Sequence, residues 1–175
     1  KASSAPAAYA APQCPYATEA TPTHQDILIN EVAWMGSEQS STDEWIELKN
    51  ISGTDIILKN WQLIDKEDQI HFAFTNEVMK RGEYFLLERT NDSSVPNVSS
   101  DAIYVGALSN ENEGLRLFNQ NCVLVDEVLA NPSWPSGSIN PKRSMERAGD
   151  LSWRTYSGQE NNLIFGTPKA DNSVG

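Results

Sequence analysis

The sequence is short of cations. Its 175 residues carry 13 Lys and Arg against 24 Asp and Glu, a formal net charge of −11. A protein that tracks phosphates presents a basic face, and the only adjacent basic pairs here are Lys80-Arg81 and Lys142-Arg143. Double-stranded DNA is therefore not an expected partner. Cysteine is scarce too: Cys14 and Cys122 have no Cys or His near them in sequence, which excludes a zinc cluster of the usual short spacing. The two histidines, His24 and His71, make no obvious triad, and no Ser stands in a Gly-x-Ser-x-Gly elbow. A phosphate loop and a dinucleotide fingerprint are both missing. No run of about 20 apolar residues exists, so no transmembrane helix is expected. Lys1 is followed by small residues rather than an apolar stretch, as in a mature chain or a piece of a longer one.

What the chain does have is alternation. In Trp45-Ile46-Glu47-Leu48-Lys49, Trp45, Glu47 and Lys49 point one way and Ile46 and Leu48 the other, the period of a half-buried strand. Asn50 to Asp55 is turn material around Gly53, Ile56-Ile57-Leu58 is a short apolar run, and Trp61-Gln62-Leu63 starts the next strand on a ring that needs burial. Further strand signals fall at Ile27–Val32, Gln69–Phe74, Glu83–Glu88, Ala102–Val105, Leu115–Phe118, Cys122–Val128 and Lys142–Arg147. Glu77 to Gly82 reads as a turn, the three prolines between Asn131 and Pro141 exclude a central strand there, and Leu151 to Gly175 reads as coil pinned by Trp153 and Phe165. No window beyond about ten residues carries an apolar helical face. Short strands with frequent turn signals predict an all-β, antiparallel sandwich or barrel.

The first 25 residues are a different material. Half of the first twelve are Ala, and Pro stands at 6, 12, 15 and 22, a spacing that interrupts a helix. They predict a disordered or extended linker over 1–25, with the β-sandwich domain over 26–175.

The order of these features resembles the lamin-tail domain. The residues concerned are Ile29-Asn30-Glu31-Val32, Trp45 to Ser52, Leu58-x-x-Trp61-x-Leu63, and Gly82 before Tyr84-Phe85-Leu86-Leu87. The far end is similar to bacterial exported members of that family: Ser144-Met145-Glu146-Arg147, Trp153, then Gly166-Thr167-Pro168-x-Ala170-x-Asn172. The resemblance implies an immunoglobulin-like fold, no catalytic residues, and export to the outside or the surface of a cell. It points to a non-enzymatic interaction or structural module that tethers, targets or packs against a protein or cell-surface component. Some lamin tails are associated with DNA through basic surface, which this chain lacks, so DNA binding is not carried over. Export favours a disulfide between Cys14 and Cys122 if the tail packs on the domain; two free thiols are the alternative.

Two groups of residues carry the rival readings. Carboxylates on or beside strands, Glu31 and Glu47 above all, and the turn carboxylates Asp65 and Asp68, are candidates for holding Ca²⁺. The plainer expectation is solvated charges on an outer face and in a hairpin turn. Trp34 and Trp134 lie in or next to loops beside Gly or Pro, where exposed rings stack on sugars or fill a partner's pocket. The plainer expectation is that they cap the sandwich core. Together they define the alternatives to the first reading: a glycan- or surface-binding module, Ca²⁺-assisted, or an accessory domain of a larger enzyme such as a nuclease.

Overall fold

The computed structural model describes residues 11–173, among which there is no helix. The chain forms β1 (Ile27–Ala33), β2 (Trp45–Asn50), β3 (Ile56–Ile57) and β4 (Gln62–Asp65), then β5 (His71–Ala73), β6 (Val78–Met79) and β7 (Tyr84–Arg89). After these come β8 (Ala102–Tyr104), β9 (Gly114–Phe118) and β10 (Leu124–Leu129). The last four are β11 (Ser138–Ile139), β12 (Lys142–Arg143), β13 (Met145–Arg147) and β14 (Trp153–Thr155). A six-stranded sheet in the order β14-β13-β1-β2-β7-β8 faces a four-stranded sheet in the order β10-β9-β4-β5. Pairing is antiparallel except between β7 and β8, which run parallel across the crossover 90–101. This is the all-β antiparallel sandwich that the alternation predicts, of the immunoglobulin-like kind that the resemblance implies. β6 lies where a turn is expected and β14 where coil is expected. Strands of two or three residues are too short to show a period.

Ile29, Ile46, Leu48 and Leu87 meet Leu63, Leu115, Leu117 and Val128 between the sheets. Trp61 sits among them, 4% exposed. Two β-bulges decide which side chains join this core. In β1 the register slips between Ile29, opposite Leu48, and Glu31, opposite Glu47. A regular strand would send residues 29 and 31 to the same face; the extra residue sends Ile29 inward and Glu31 outward. In β10 the slip falls between Leu124, opposite Phe118, and Asp126, opposite Leu117. It places Leu124 on the outer face and Asp126 between the sheets.

Each outer face is covered by one end of the chain. Residues 11–25, expected to be a linker, are extended but pack as a strap across the four-stranded sheet. The composition changes at Asp26, whereas the packing does not, because the strap brings its own anchors. Cys14 is buried with Ile64, Phe118 and Leu124. Thr23 and His24 donate their amides to the carbonyls of Leu124 and Val125. The Arg116 guanidinium lies over the Tyr16 ring and donates to the carbonyl of Tyr16 at 2.6 Å. The linker's first ten residues lie outside the described residues. At the other end, residues 164–173 cross the outer face of the six-stranded sheet as a second strap. Trp45, on the same face as Glu47, is buried beneath it.

Trp61→Ala should cost about 3–5 kcal/mol by removing a large buried ring from between the sheets. The chemical-denaturation midpoint measures this, and an unmoved midpoint would contradict the ring's place in the core.

Candidate functional site

Three glutamates stand in a row across the six-stranded sheet. Glu31 of β1 is opposite Glu47 of β2 on one side and Glu146 of β13 on the other. Directly opposed side chains in a sheet are close neighbours, and like charges so placed repel. All three are 0% exposed. The expectation of solvated outer-face charges is therefore overturned, and the cause is the C-terminal strap.

The strap reaches the row through its own donors. The Thr167 amide donates to Glu31 Oε1 at 2.9 Å and the Lys169 amide to Glu47 Oε2 at 2.5 Å. The Ser173 amide donates to Glu146 Oε1 at 2.9 Å, and its hydroxyl reaches Glu146 Oε2 at 2.5 Å. From β1, Asn30 donates its amide nitrogen to Glu47 Oε1 at 2.9 Å and to Asn172 Oδ1 at 3.0 Å. The Ser144 hydroxyl bonds Glu31 Oε1 at 2.5 Å. Gly166 permits the close crossing: a Cβ there would stand 2.7 Å from Glu31 Oε1 and 2.8 Å from Trp45 Cζ2. Beside the strap a cleft of about 420 Å³ opens over Leu28, Ile51 and Leu151, with Lys49 and Asp171 at its rim.

Burial is the main influence on these acids. It raises Glu31 well above the ordinary carboxylate value, with the neighbouring Glu47 charge adding to it, while Ser144 and the Thr167 amide oppose it. Burial lifts Glu47 to about 8 against the Lys169 amide and the Asn30 side chain. The cation reading of the row does not survive this geometry. Its oxygens are occupied by N–H and O–H donors, and among the described residues no three Asp, Glu, His or Cys groups converge as metal ligands. Asp65 and Asp68 are not brought together either. Asp65 is buried and takes the Ile70 amide at 2.8 Å, whereas Asp68 is exposed and bonds Gln13.

Trp34 and Trp134 do meet. Their rings stack with centroids 6.3 Å apart and planes 13° from parallel. Each is only 7% exposed, and both indole N–H groups are used internally, on the carbonyls of Ser136 and Ser109. Gly137 packs against the pair; a Cβ there would lie 2.6 Å from Trp34 Nε1. The reading of these rings as exposed platforms for sugars is corrected. They cap one end of the sandwich, because rings flanked by Gly and Pro let the loops close over them.

Cys14 and Cys122 are joined in a disulfide with their Cα atoms 5.3 Å apart, fastening the N-terminal strap to the β9–β10 hairpin. The other strap anchor is Asp126. Its carboxylate takes the Ile29 amide at 2.7 Å, Arg147 Nη2 at 2.6 Å and His24 Nδ1 at 2.9 Å. The residues that sequence reasoning missed are Asn30, Thr167 and Ser173, whose role depends on where the strap lands. The available signal was the run Gly166-Thr167-Pro168-x-Ala170-x-Asn172, which is the strap itself.

The raised acids set a pH dependence. Burial lifts Glu44 to about 7 and Glu88 to about 7, in addition to Glu47. Between their ordinary value of 4.5 and these folded values the native chain holds protons that the unfolded chain has released. Their contribution is thus complete below about pH 4.5 and is lost as pH rises through 7 to 8. The melting temperature should fall between pH 6 and pH 9, by about 2–4 °C per kcal/mol lost. A scanning-calorimetry series that rises over this range would contradict the assignment.

No curated protein matches this sequence. Residues 20–131 match the lamin tail domain. The matched stretch spans β1 through β10, while Cys14 and the C-terminal strap lie outside it. With most of its sandwich inside that match, the chain belongs to the lamin tail domain family.

Proposed function

We propose that this domain is a non-enzymatic interaction module of an exported or cell-surface protein, whose partner is another protein or a cell-surface component. The lamin tail domain is generally non-catalytic. The observation that carries the export is the Cys14–Cys122 bond, which joins residues 108 apart in sequence. Structural disulfides persist in oxidising compartments. Closing a loop of about 100 residues is worth about 4.7 kcal/mol in the chain-entropy account. With both outer faces crossed by straps, a partner is left the cleft beside the C-terminal strap, the sheet edges, the loop ends and the small two-stranded β3–β6 sheet, where Ile57 and Val78 are paired and exposed.

The charge supports a protein or a surface rather than a duplex. Arg147 is buried on Asp126, Arg116 is bound to Glu127 at 2.9 Å and Arg89 to Glu44 at 3.0 Å, so several of the 13 cations are neutralised within the domain.

Two measurements test this reading. A thiol reagent applied under denaturing, non-reducing conditions should find no free thiol; two per chain would remove the support for export. Fluorescence anisotropy with a labelled duplex at low ionic strength, where screening is weakest, should show no binding. Micromolar binding that weakens with salt would move the function towards nucleic-acid tethering.

A further inference from the structure

The C-terminal strap is held by carboxyl groups, and its hydrogen bonds do not balance if all of those groups are ionised. Thr167 Oγ1 lies 2.8 Å from Glu31 Oε2 and 2.5 Å from Glu146 Oε1. A threonine hydroxyl donates one hydrogen and accepts others, whereas an ionised carboxylate only accepts. Thr167 can therefore satisfy one of the two acids, not both. The neighbouring donors do not supply the difference. The single Thr167 amide hydrogen is shared between Glu31 Oε1 at 2.9 Å and Oε2 at 3.2 Å, Ser144 is bonded to Glu31 Oε1, and both Ser173 donors go to Glu146, so none of them lies between Thr167 Oγ1 and either acid. Asn172 meets Thr167 Oγ1 through its carbonyl oxygen, another acceptor, at 3.5 Å. The second hydrogen must come from a carboxyl.

We propose that closing the C-terminal strap over the six-stranded sheet takes up one proton, held on Glu31 Oε2 and donated to Thr167 Oγ1, whose own hydrogen passes to Glu146. The strap is then a proton-linked lid. Placing the proton on Glu31 agrees with its burial, which favours the neutral acid. Glu31 holds the middle of the row, with Glu47 and Glu146 on its two sides. The other charged groups near the row are spoken for. Lys49 of β2 contacts Tyr84 of β7 at 3.0 Å and Asp171 of the strap at 3.6 Å. Lys169 of the strap pairs with Asp101 at 2.9 Å. Arg143 lies over the Phe165 ring and donates to the carbonyl of Tyr156, and Arg154 of β14, in register with Glu146, pairs with Asp150. Among the described residues no cation is thus within ion-pair distance of Glu31.

Opening the lid wets Glu31 and releases its proton. Because the closed state keeps the Glu31 proton, and Glu47 beneath the same strap acts in the same direction, closure is strongest in mild acid and weakens as pH rises, until Glu31 ionises in place. One proton of linkage changes the opening equilibrium about tenfold per pH unit. Hydrogen exchange of the intact, oxidised protein, followed by mass spectrometry from pH 5.5 to 8, reads this equilibrium. Protection is expressed relative to an unstructured chain at the same pH. In the wild type, protection of residues 164–173 should fall with pH. In Glu31→Gln the amide nitrogen donates to Thr167 at every pH, so the fall should be shallower by about tenfold per pH unit. Glu146→Gln also removes the need for a shared proton and should flatten the fall alike, which keeps the test alive should one variant fold poorly. Amides of the β9–β10 hairpin report whether each variant is folded. Equal slopes in the wild type and in a folded variant, or protection that does not change with pH in the wild type, would overturn the proposal.

Discussion

The carboxylate of Asp126 is the contact on which the rest of the architecture depends. It lies between the sheets, where an unpaired charge would be costly, and it is paired on every side. Arg147 reaches it from β13, His24 from the N-terminal strap, and the Ile29 amide from the bulge in β1. Burial raises its affinity for a proton, and Arg147 opposes this most strongly. Two bulges, one in each sheet, meet at this group. The β10 bulge sends Asp126 inward, and the β1 bulge frees the amide that Asp126 accepts. The same bulge turns Glu31 outward into the glutamate row. One buried acid thus fixes the sheet–sheet contact, a strap and the face on which the candidate site forms.

The sandwich was legible because it rests on local period. Leu48 stands between Glu47 and Lys49 with Ile46 on its face, Leu63 follows Gln62 and Leu117 follows Arg116, and the structure puts all four in the core. The bulges were not legible, since one extra residue in Ile29-Asn30-Glu31 leaves no mark on composition. Nor were the straps. The Pro/Ala composition of the first 25 residues says that they form no helix or central strand, and says nothing of whether they pack. Whether Glu31 and Glu47 are wet or dry depends on a segment more than 100 residues away in sequence, which meets them only after folding. For Trp34 and Trp134 the plainer expectation, that they cap the core, matches their burial, while their stacking on each other depends on two distant loops meeting.

The two straps do similar work by different chemistry. The N-terminal one combines apolar burial, a cation over an aromatic ring and a covalent bond. The C-terminal one relies on amides and hydroxyls directed at acids. Cys14 and the C-terminal strap lie outside residues 20–131, the stretch that matches the lamin tail domain, whereas Cys122, Glu31 and Glu47, which receive them, lie within it.

The disulfide also sets how the domain answers a mechanical pull between its ends. Tension entering at Cys14 passes directly to Cys122, so the residues between them, spanning β1 through β9, carry no load. The force instead runs from the β9–β10 hairpin to the C-terminal strap, whose hold is a ladder of hydrogen bonds and the Lys169–Asp101 ion pair, loaded one rung after another from Ser173. Under tension the domain would lengthen by shedding that strap while most of the sandwich stays folded.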